Sequence, residues 1–233
     1  YIERVKKIKK KNTCIVCLSG GLDSTIIAYF LKKKFKKVIA ITGYCKDNIN
    51  AIQNDLKAAE RISKKLEIVH LPVPITINEV SKNLDKILYA SQDWRDYNVH
   101  CGAINFFLAK FLKRKGYNKY PVFTGDFMNE FVADYETEKI NNKSFYKMSL
   151  NDKKLKQRFL MSSLDSSSRE ISVFNYFKIP LYQPYSILAY YYKNIPKTNF
   201  ESKNFKYNFN GKLLPKKILN SVLNKKTRAQ VGD

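Results

Sequence analysis

One stretch near the start of the chain constrains its fold more than any other. Residues 13–17 (Thr-Cys-Ile-Val-Cys) form a short apolar, β-branched run, and Gly20 and Gly21 follow shortly after it. A run of apolar residues with helical spacing then begins at Leu22. This order predicts a buried strand, a tight glycine turn and the start of a helix.

The turn carries groups suited to holding a phosphate chain. Gly20 and Gly21 can adopt positive φ and let an anion approach the backbone closely. The helix that follows directs unpaired N–H groups and the positive end of its dipole toward that anion. A carboxylate among these donors, Asp23, would repel a phosphate unless a cation lay between them, so the turn implies Mg²⁺. Three hydroxyl side chains add further donors: Ser19, Ser24 and Thr25.

The segment from Ser19 to Ser24 resembles the pyrophosphate loop (PP-loop) of the N-type ATP pyrophosphatases. This superfamily includes asparagine synthetase, β-lactam-forming synthetases and several tRNA-modifying ligases, which split ATP between its α- and β-phosphates. The segment differs from the P-loop of ATPases and GTPases, because no lysine follows the glycines where that motif needs one. The resemblance implies ATP and Mg²⁺ as cofactors; a glycine turn without a ligand is the alternative. The ATP contacts that it implies here are Leu18, Ser19, Gly20, Gly21, Asp23, Ser24 and Thr25.

Strands and helices alternate after the glycine turn. Residues 38–43 and 68–73 are apolar runs of strand length, and apolar residues recur with helical spacing over 54–66. This alternation predicts an α/β protein with a parallel, doubly wound sheet. The resemblance implies a Rossmann-like (HUP-type) sheet with helices on both faces and a more helical C-terminal part.

The length of 233 residues favours one main domain with a core that needs no staples. We expect a PP-loop synthetase domain over residues 13–200, preceded by a basic lead-in at 1–12. A basic C-terminal extension over 201–233 is expected to pack on the same domain.

Ligands of doubly wound sheets bind at the carboxyl ends of the strands, where the glycine turn and Gly43 both fall. In asparagine synthetase-like proteins, the strand after the pyrophosphate loop ends near a glycine that lets adenine approach. Gly43 matches that glycine, and Ile41 is placed to form a wall of the base pocket.

A second signature begins where a later strand-like run ends at Gly125. It resembles the second signature of the asparagine synthetase class, with Glu130 matching its glutamate and Tyr135 its closing tyrosine. Asp126 stands where the family has a glutamate or tyrosine that helps to remove a proton from the attacking nitrogen. Asn129 stands where the family has a metal-binding aspartate, so Asp126 and Asn129 join Asp23 as candidate Mg²⁺ ligands. An acidic helix cap is the alternative.

The stretch from Asp93 to Gly102 is rich in charged and aromatic residues and is expected to be a loop before a helix at 103–112. Such a loop at the mouth of a sheet can hold substrate groups. Alternatively, Trp94 and Tyr97 cap the core and Arg95 pairs with a nearby acid. The preceding residues, 79–95, favour an amphipathic helix.

Cysteine and histidine give little sign of metal or redox chemistry. Cys14 and Cys17 lie in the predicted first strand, where buried thiols are more typical than a redox pair. His70 lies in a predicted strand, and it forms no two-histidine metal spacing with His100. Four cysteines in a chain of this length fit a reducing cytoplasm rather than a disulfide framework.

The later polar segments are less informative. Residues 136–160 favour a flexible loop with a helix from about 152, and residues 198–213 favour a polar loop. Residues 179–185 weakly resemble the family's Pro-Phe-Leu-Asp turn, with Gln183 in place of the acid. Near the C-terminus, Lys225 or Lys226 resembles a family lysine that touches the phosphates and would stabilise charge on them; a solvated basic tail is the alternative.

The formal charge of +23 comes from 43 Lys and Arg against 20 Asp and Glu. Such a field attracts polyanions, so a nucleic acid or acidic protein partner is possible, although a lysine-rich composition alone is favoured. No run of 18 apolar residues exists, so we expect no membrane span and no membrane partner.

Together these features predict an asparagine synthetase-like ligase. It would adenylate a small-molecule carboxylate, release pyrophosphate and transfer the acyl group to ammonia or an amine, with Asp126 or Glu130 as base or orienter. No glutaminase domain is visible in these residues, so ammonia is expected to arrive free, as a substrate amine, or from a separate glutaminase or other subunit. A tRNA-modifying enzyme and a catalytically weak nucleotide-binding subunit are the alternatives.

Overall fold

The computed structural model describes residues 1–47, 49–128, 137–149, 168–186, 200–201, 203 and 205–208. In these ranges the helices are α1 (Ile2–Lys9), α2 (Leu22–Lys34), α3 (Ile49–Leu66), α4 (Ile77–Lys82), α5 (Leu84–Ser91), α6 (Asp96–Arg114) and α7 (Ser168–Tyr176). The strands are β1 (Thr13–Cys17), β2 (Lys37–Cys45), β3 (Val69–Ile75), β4 (Val122–Phe123), β5 (Thr137–Ile140), β6 (Lys143–Ser149), β7 (Leu181–Tyr182), β8 (Phe200–Glu201) and β9 (Phe205–Asn208).

Five strands form the central parallel sheet, in the order β3-β2-β1-β4-β7. Chain order reverses beside β1, because β2 lies on one side of it and β4 on the other. Crevices at such switch points are where doubly wound sheets bind ligands. The α/β fold with a Rossmann-like parallel sheet is therefore confirmed.

Helices cover both faces of this sheet, because alternate residues of each strand enter two different cores. Cys14 and Val16 of β1 pack into one core with α1, α2 and α3. Ile15 of the same strand packs into the other core with α5, α6 and α7. A strand buried on both faces reads as a continuous apolar run, which is the pattern seen in residues 13–17.

The positions of the first two cysteines exclude a redox pair. Cys14 faces the first core, whereas Cys17, three residues along the strand, packs against the second. Side chains three apart in a strand point to opposite faces of a sheet. Burial raises the pKa of both thiols, so neither is activated as a thiolate, although only Cys14 is fully shielded from solvent.

A second, antiparallel sheet has the order β5-β6-β9-β8. Here the prediction was wrong. Residues 136–160 were expected to begin with a flexible loop, but the structure shows the β5–β6 hairpin there. The polar loop expected at 198–213 likewise contains β8 and β9. The hairpin turns at Asn141 and Asn142, which both have positive φ, 49° and 61°, the backbone conformation that asparagine tolerates in tight turns.

Two helix predictions need correction. The amphipathic region expected at 79–95 is two short helices, α4 and α5, separated at Asn83. The loop expected over residues 93–102 ends at Arg95, because α6 begins at Asp96. The helix expected from about residue 152 begins outside the described residues. No helix in the described part of the chain is long and apolar enough to cross a membrane.

Candidate active site

The turn between β1 and α2 lies at the carboxyl end of the central sheet. Gly20 has φ +82°, the left-handed conformation that favours glycine. A Cβ atom there would lie 2.7 Å from Ala58 Cβ and 2.8 Å from the Asp55 carbonyl oxygen. Position 20 therefore requires glycine, both because of its positive φ and because the turn packs closely against α3.

The other predicted members of the turn behave differently. Gly21 has an extended conformation (φ −71°) as the N-cap of α2, so positive φ was wrongly expected for it. Thr25 is fully buried, and its hydroxyl donates to the Gly21 carbonyl oxygen at 2.6 Å. The proton of the Thr25 hydroxyl is therefore used within the first turn of α2.

Ser19 and Ser24 hold the turn together. Their hydroxyl oxygens are 3.1 Å apart, and the Ser19 N–H donates to Ser24 Oγ at 3.2 Å. The Gly21 N–H donates to Ser19 Oγ at 3.3 Å. The turn thus gathers N–H and hydroxyl groups at the start of α2, where an anion benefits from both.

The turn after β4 packs directly on this first turn. A Cβ on Gly125 would lie 2.8 Å from the backbone nitrogen of Ser24 and 3.1 Å from the carbonyl carbon of Asp23. On another side, the Tyr185 hydroxyl donates to the Asp23 carbonyl oxygen at 3.0 Å. The two distant motifs of the sequence therefore meet at one rim of the sheet.

Between them lies an open pocket of about 310 Å³, within the size range of ligand sites. It is lined by Cys17, Leu18, Ser19, Asp23, Ser24, Ile41, Thr42, Gly43, Asp55, Ile104, Asn105, Leu108, Thr124, Gly125, Asp126 and Glu170.

Eight of the predicted site residues line this pocket: Leu18, Ser19, Asp23, Ser24, Ile41, Gly43, Gly125 and Asp126. Gly20, Gly21 and Thr25 shape the turn without lining it. The remaining predicted residues lie outside the described part of the chain: Asn129, Glu130, Lys225 and Lys226. Tyr135 lies outside it as well.

One end of the pocket is apolar. Ile41 and Gly43 of β2 face Ile104 and Leu108 of α6, and a Cβ on Gly43 would lie 3.0 Å from Ile104 Cγ2. Gly43 therefore lets Ile104 pack closely against β2, and the pocket beside this contact is bounded by aliphatic groups, which suit the face of a flat ring. Sequence patterns did not indicate Ile104, Asn105 or Leu108, because their helix comes from a distant segment.

A hydrogen-bonded chain braces this end of the pocket from β3. The Thr42 hydroxyl donates to the Leu18 carbonyl oxygen at 2.5 Å and lies 2.8 Å from His70 Nε2. Because its single proton is used on Leu18, the hydroxyl accepts from His70, which fixes the Nε2–H tautomer. Burial lowers the pKa of His70, consistent with a neutral ring. His70 is thus a structural residue that holds the entry to the first turn.

The opposite end of the pocket is acidic, and it contains a residue that the sequence did not single out. Glu170 of α7 is buried, and its Oε2 accepts hydrogen bonds from Thr124 Oγ1 and Gln183 Nε2, each at 2.8 Å. Its carboxyl group is also hydrogen-bonded to that of Asp126. A hydrogen bond between two carboxyl groups requires a proton between them.

The electrostatics of this pair follow from its surroundings. Burial raises the pKa of Glu170 well above its ordinary range, and the neighbouring Asp126 raises it further. Burial also raises the pKa of Asp126, whereas the hydrogen bond from Glu170 and the charge of Arg169 lower it. The two carboxyl groups therefore share a proton in the folded state, and both line the pocket.

The backbone beside Asp126 is strained. Phe127, a buried residue of the core, has φ +79°, which non-glycine residues rarely adopt. Such strain persists where the surrounding structure imposes it and is frequent at functional sites. Here the buried ring and the contact of Gly125 with α2 fix the turn that presents Asp126.

The oxygen donors of the pocket fit a shared Mg²⁺ better than a self-contained metal site. Among the described residues, no group of three or more His, Cys, Asp or Glu side chains is placed to hold a metal ion. Asp23 and Asp126 both line the pocket. Mg²⁺ is commonly bound by one or two carboxylates together with substrate phosphates, and this donor set matches that arrangement.

The loop at residues 93–95 is held by a structural ion pair. Arg95 Nη2 lies 2.5 Å from Asp93 Oδ2, which also accepts from Asn98 Nδ2 at 2.7 Å. Asn98 Oδ1 in turn accepts from Arg169 Nη1. The alternative in which Arg95 pairs with an acid is therefore the observed one, whereas Trp94 does not cap the core, since it is 83% exposed.

A parallel sheet with a glycine turn and a helix N-terminus at its switch point defines an α/β nucleotide-binding protein. The model of the asparagine synthase family matches residues 5–194, which include both turns of the site. The chain belongs to the asparagine synthase family, and so to the ATP-using synthetases of the PP-loop superfamily.

Comparison with solved structures gives weaker likenesses. NMN synthetase from Francisella tularensis matches at 18% identity and a TM-score of 0.42, over 58% of this chain and 54% of that chain. The match thus spans about half the length of that relative. NH3-dependent NAD synthetase from Campylobacter jejuni matches at 15% identity and a TM-score of 0.41, over 85% of this chain and 94% of that chain. The curated proteins gave no match.

Proposed function

We propose that this chain is an ATP-dependent, amide-forming ligase that adenylates a carboxylate and passes the acyl group to ammonia or an amine. One observation carries the proposal: Gly125 lies against the backbone of Ser24, so Asp23 and Asp126 line one pocket. The first turn is suited to phosphates and the second brings a proton acceptor. A site that only bound a nucleotide would not need a proton acceptor beside the phosphates.

The pocket suggests how ATP lies in it. The phosphates would contact the hydroxyl groups of Ser19 and Ser24, beside the N-terminus of α2. The base would occupy the aliphatic end of the pocket, which Ile41, Gly43 and Ile104 line. In this pose the α-phosphate would lie near the middle of the pocket, between the first turn and Asp126.

Asp23 and Asp126 would hold Mg²⁺ together with the phosphate oxygens. When bound, this ion would neutralise charge on the phosphates and orient them. Asn129, the third candidate ligand, lies outside the described residues, as do the candidate phosphate-binding residues Lys225 and Lys226.

The proposed reaction has two steps. In the first, a carboxylate oxygen of the substrate attacks the α-phosphorus, and the bond to the bridging oxygen breaks with its electron pair leaving on pyrophosphate. In the second, the nitrogen attacks the acyl carbon, and the carbon–oxygen bond to AMP breaks with its electron pair leaving on the phosphate. Asp126 takes the proton that the nitrogen loses. The protein's contribution is mainly positioning and charge complementarity.

ATP–pyrophosphate exchange tests the first step by itself. The wild-type chain is incubated with ATP, Mg²⁺, labelled pyrophosphate and a panel of amino acids and dicarboxylates, each in turn. We expect exchange with one class of carboxylate, and amide and AMP formation when ammonium or an amine is added. Asp23→Asn should lower the rate of exchange by about 10²-fold, because it removes a carboxylate that would hold Mg²⁺ beside the phosphates.

Asp126→Asn separates the two steps. If Asp126 is the base of the second step, amide formation should fall by about 10²- to 10⁴-fold, more than exchange falls. Asp85→Asn, an exposed acid on α5, is the matched control and should change neither rate. Failure of every carboxylate to support exchange, with ATP still bound, would contradict the ligase and favour a nucleotide-binding subunit. Exchange that required added tRNA would instead favour a tRNA-modifying enzyme.

A further inference from the structure

A lysine-lined groove lies at the amino-terminal end of β1, whereas the candidate active site lies at the carboxyl-terminal end of the same strand. It encloses about 500 Å³ between the ends of α1 and α2, and five lysines line it together with Glu3 and Asn12. The lysines are Lys6, Lys7, Lys10, Lys11 and Lys34. The groove adjoins the first residue of β1, whereas the pocket adjoins its last, so the length of the strand separates them.

The positive charge of the groove exceeds what Glu3 and the C-terminal ends of α1 and α2 can neutralise. Residues 1–37 contain ten lysines and Arg4, and Glu3 is their one acidic residue besides Asp23 of the pocket. Glu3 is engaged by Lys34, whose Nζ lies 2.5 Å from its Oε1. The C-terminal ends of α1 and α2 attract cations, but each carries only about half a negative charge. Five ammonium groups against one carboxylate leave the lining strongly positive.

The shape and chemistry of the groove indicate the class of its ligand. It is concave, and α1, with eight residues, is about 12 Å long, which matches about four residues of an extended peptide. The residues that line it include no aromatic side chain, although single-stranded nucleic acids are usually held by stacking on aromatic residues. They also include no arginine, whose planar fork binds carboxylate or phosphate groups bidentately, so the groove offers only the single-point charges of lysine ammonium groups.

We propose that this groove binds an extended acidic segment of a partner protein. In an extended chain alternate side chains point the same way, so a segment with acids at alternate positions would direct two or three carboxylates at the lysines. The partner would dock at the amino-terminal end of β1 and leave the pocket open. This inference does not depend on the proposed ligase activity, because the groove shares no residue with the pocket.

Fluorescence anisotropy with defined probes tests the proposal on the full chain. The acidic probe is a labelled (Glu-Ser)₄ peptide, and the comparison probes are (Gln-Ser)₄ and a single-stranded oligonucleotide with four phosphates. Binding is measured at 50, 150 and 300 mM salt. We expect the acidic peptide to bind, to weaken as salt rises, and to bind more tightly than either comparison probe.

Charge-removal variants locate the site. The groove variant carries Lys7→Gln, Lys10→Gln and Lys11→Gln, three exposed positions whose loss should leave the core intact. The control variant carries Lys113→Gln, Lys115→Gln and Lys119→Gln, three exposed lysines at and beyond the end of α6. Both lose the same net charge. Thermal unfolding checks that both variants fold.

We expect the groove variant to bind the acidic peptide at least tenfold more weakly and the control variant to stay within twofold of wild type. Equal weakening in the two variants would overturn the proposal, because it would show a diffuse field and not a site. Tighter binding of the oligonucleotide than of the peptide would also overturn it, in favour of a nucleic acid. Absence of binding to the acidic peptide at 50 mM salt would overturn it directly.

Discussion

At the scale of single residues, the glycines of the site are fixed by what lies beside them. Gly125 has Ser24 backbone within 2.8 Å of where its Cβ would be, and backbone cannot move aside as a side chain can. Gly21 has only the Ser19 hydroxyl, at 3.2 Å, and a backbone conformation that any residue adopts. Two glycines in similar turns therefore differ in how strictly glycine is required.

Gly125→Ala should separate the two turns of the site. We expect it to lower the free energy of unfolding by about 1–3 kcal/mol, as overpacking does, and to weaken ATP binding because the shift moves Asp126 from Asp23. Gly21→Ala should cost less than about 1 kcal/mol, since only a hydroxyl must move. Denaturant unfolding and equilibrium dialysis with ATP measure both effects. Equal costs for the two variants would argue against the contact.

Glu170 makes a pH-dependent contribution to stability with a definite sign. Its pKa is raised by burial and by Asp126, from an ordinary value of 4.5, although hydrogen bonds from Gln183 and Thr124 oppose the rise. The folded state therefore binds its proton more tightly than the unfolded state does. Stability from this group is full below pH 4.5 and falls as pH rises toward the raised pKa.

Glu170→Gln is neutral at every pH and removes this dependence. We expect the fall in the free energy of unfolding above pH 4.5 to become shallower, by up to about 1.4 kcal/mol per pH unit. Urea unfolding at pH 5, 6, 7 and 8 measures the slope, with the exposed Glu67→Gln as the matched control. An unchanged slope in Glu170→Gln would show that the carboxyl pair does not hold its proton in the folded state.

At the scale of helices and strands, the sequence indicated the first half of the fold well, because its signals there are local. The strand at residues 13–17 is buried on both faces, so its apolar run is continuous, and glycines mark where it ends. The same holds for β2, which ends in the stretch that contains Gly43. Pattern and structure agree where one segment contains all the information.

Other elements depend on partners that the sequence does not place together. The β5–β6 hairpin is polar and lysine-rich and pairs in part with β9, more than fifty residues away, so its composition resembles that of a loop. Glu170 looked like one acid among many, and only α7 brings it to Thr124 and Asp126. Half of the pocket lining was accordingly predictable, and the part contributed by α6 and α7 was not.

The link between β1, β2 and β3 offers a test of how elements fix the site. Thr42→Val keeps the shape of the side chain but leaves the Leu18 carbonyl and His70 Nε2 without the hydroxyl they share. We expect a cost of about 1–3 kcal/mol in the free energy of unfolding and weaker ATP binding. Thr42→Ser keeps the hydroxyl and should bind ATP as the wild type does.

A double-mutant cycle that combines Thr42→Val with His70→Leu measures the coupling energy between Thr42 of β2 and His70 of β3. If the hydrogen bond is as described, Thr42→Val and His70→Leu together should cost less than the sum of their separate effects, by about 0.5–3 kcal/mol. Additive costs would mean that His70 acts through packing and not through the hydroxyl.

At the scale of the whole molecule, charge is divided in an unexpected way. The chain carries a formal charge of +23, yet the described lining of the pocket contains four acids and no lysine or arginine. The acids are Asp23, Asp55, Asp126 and Glu170. The positive charge instead collects in places such as the groove beside α1. The overall field attracts anions such as ATP at a distance, whereas the pocket itself favours cations.

This division predicts how ATP binding depends on the metal. Without Mg²⁺, the phosphates would face Asp23 directly, and like charges at close range repel strongly in a partly buried site. We therefore expect EDTA to weaken ATP binding at least tenfold in the wild type, as measured by equilibrium dialysis. In Asp23→Asn the repulsion is smaller, so binding without Mg²⁺ should improve while binding with Mg²⁺ weakens, and the two affinities should converge. Asp85→Asn, which leaves the pocket unchanged, should keep the wild-type ratio. A ratio that is the same in Asp23→Asn as in the wild type would show that Asp23 does not share a cation with the phosphates, and the loop would then bind them through its N–H and hydroxyl groups alone.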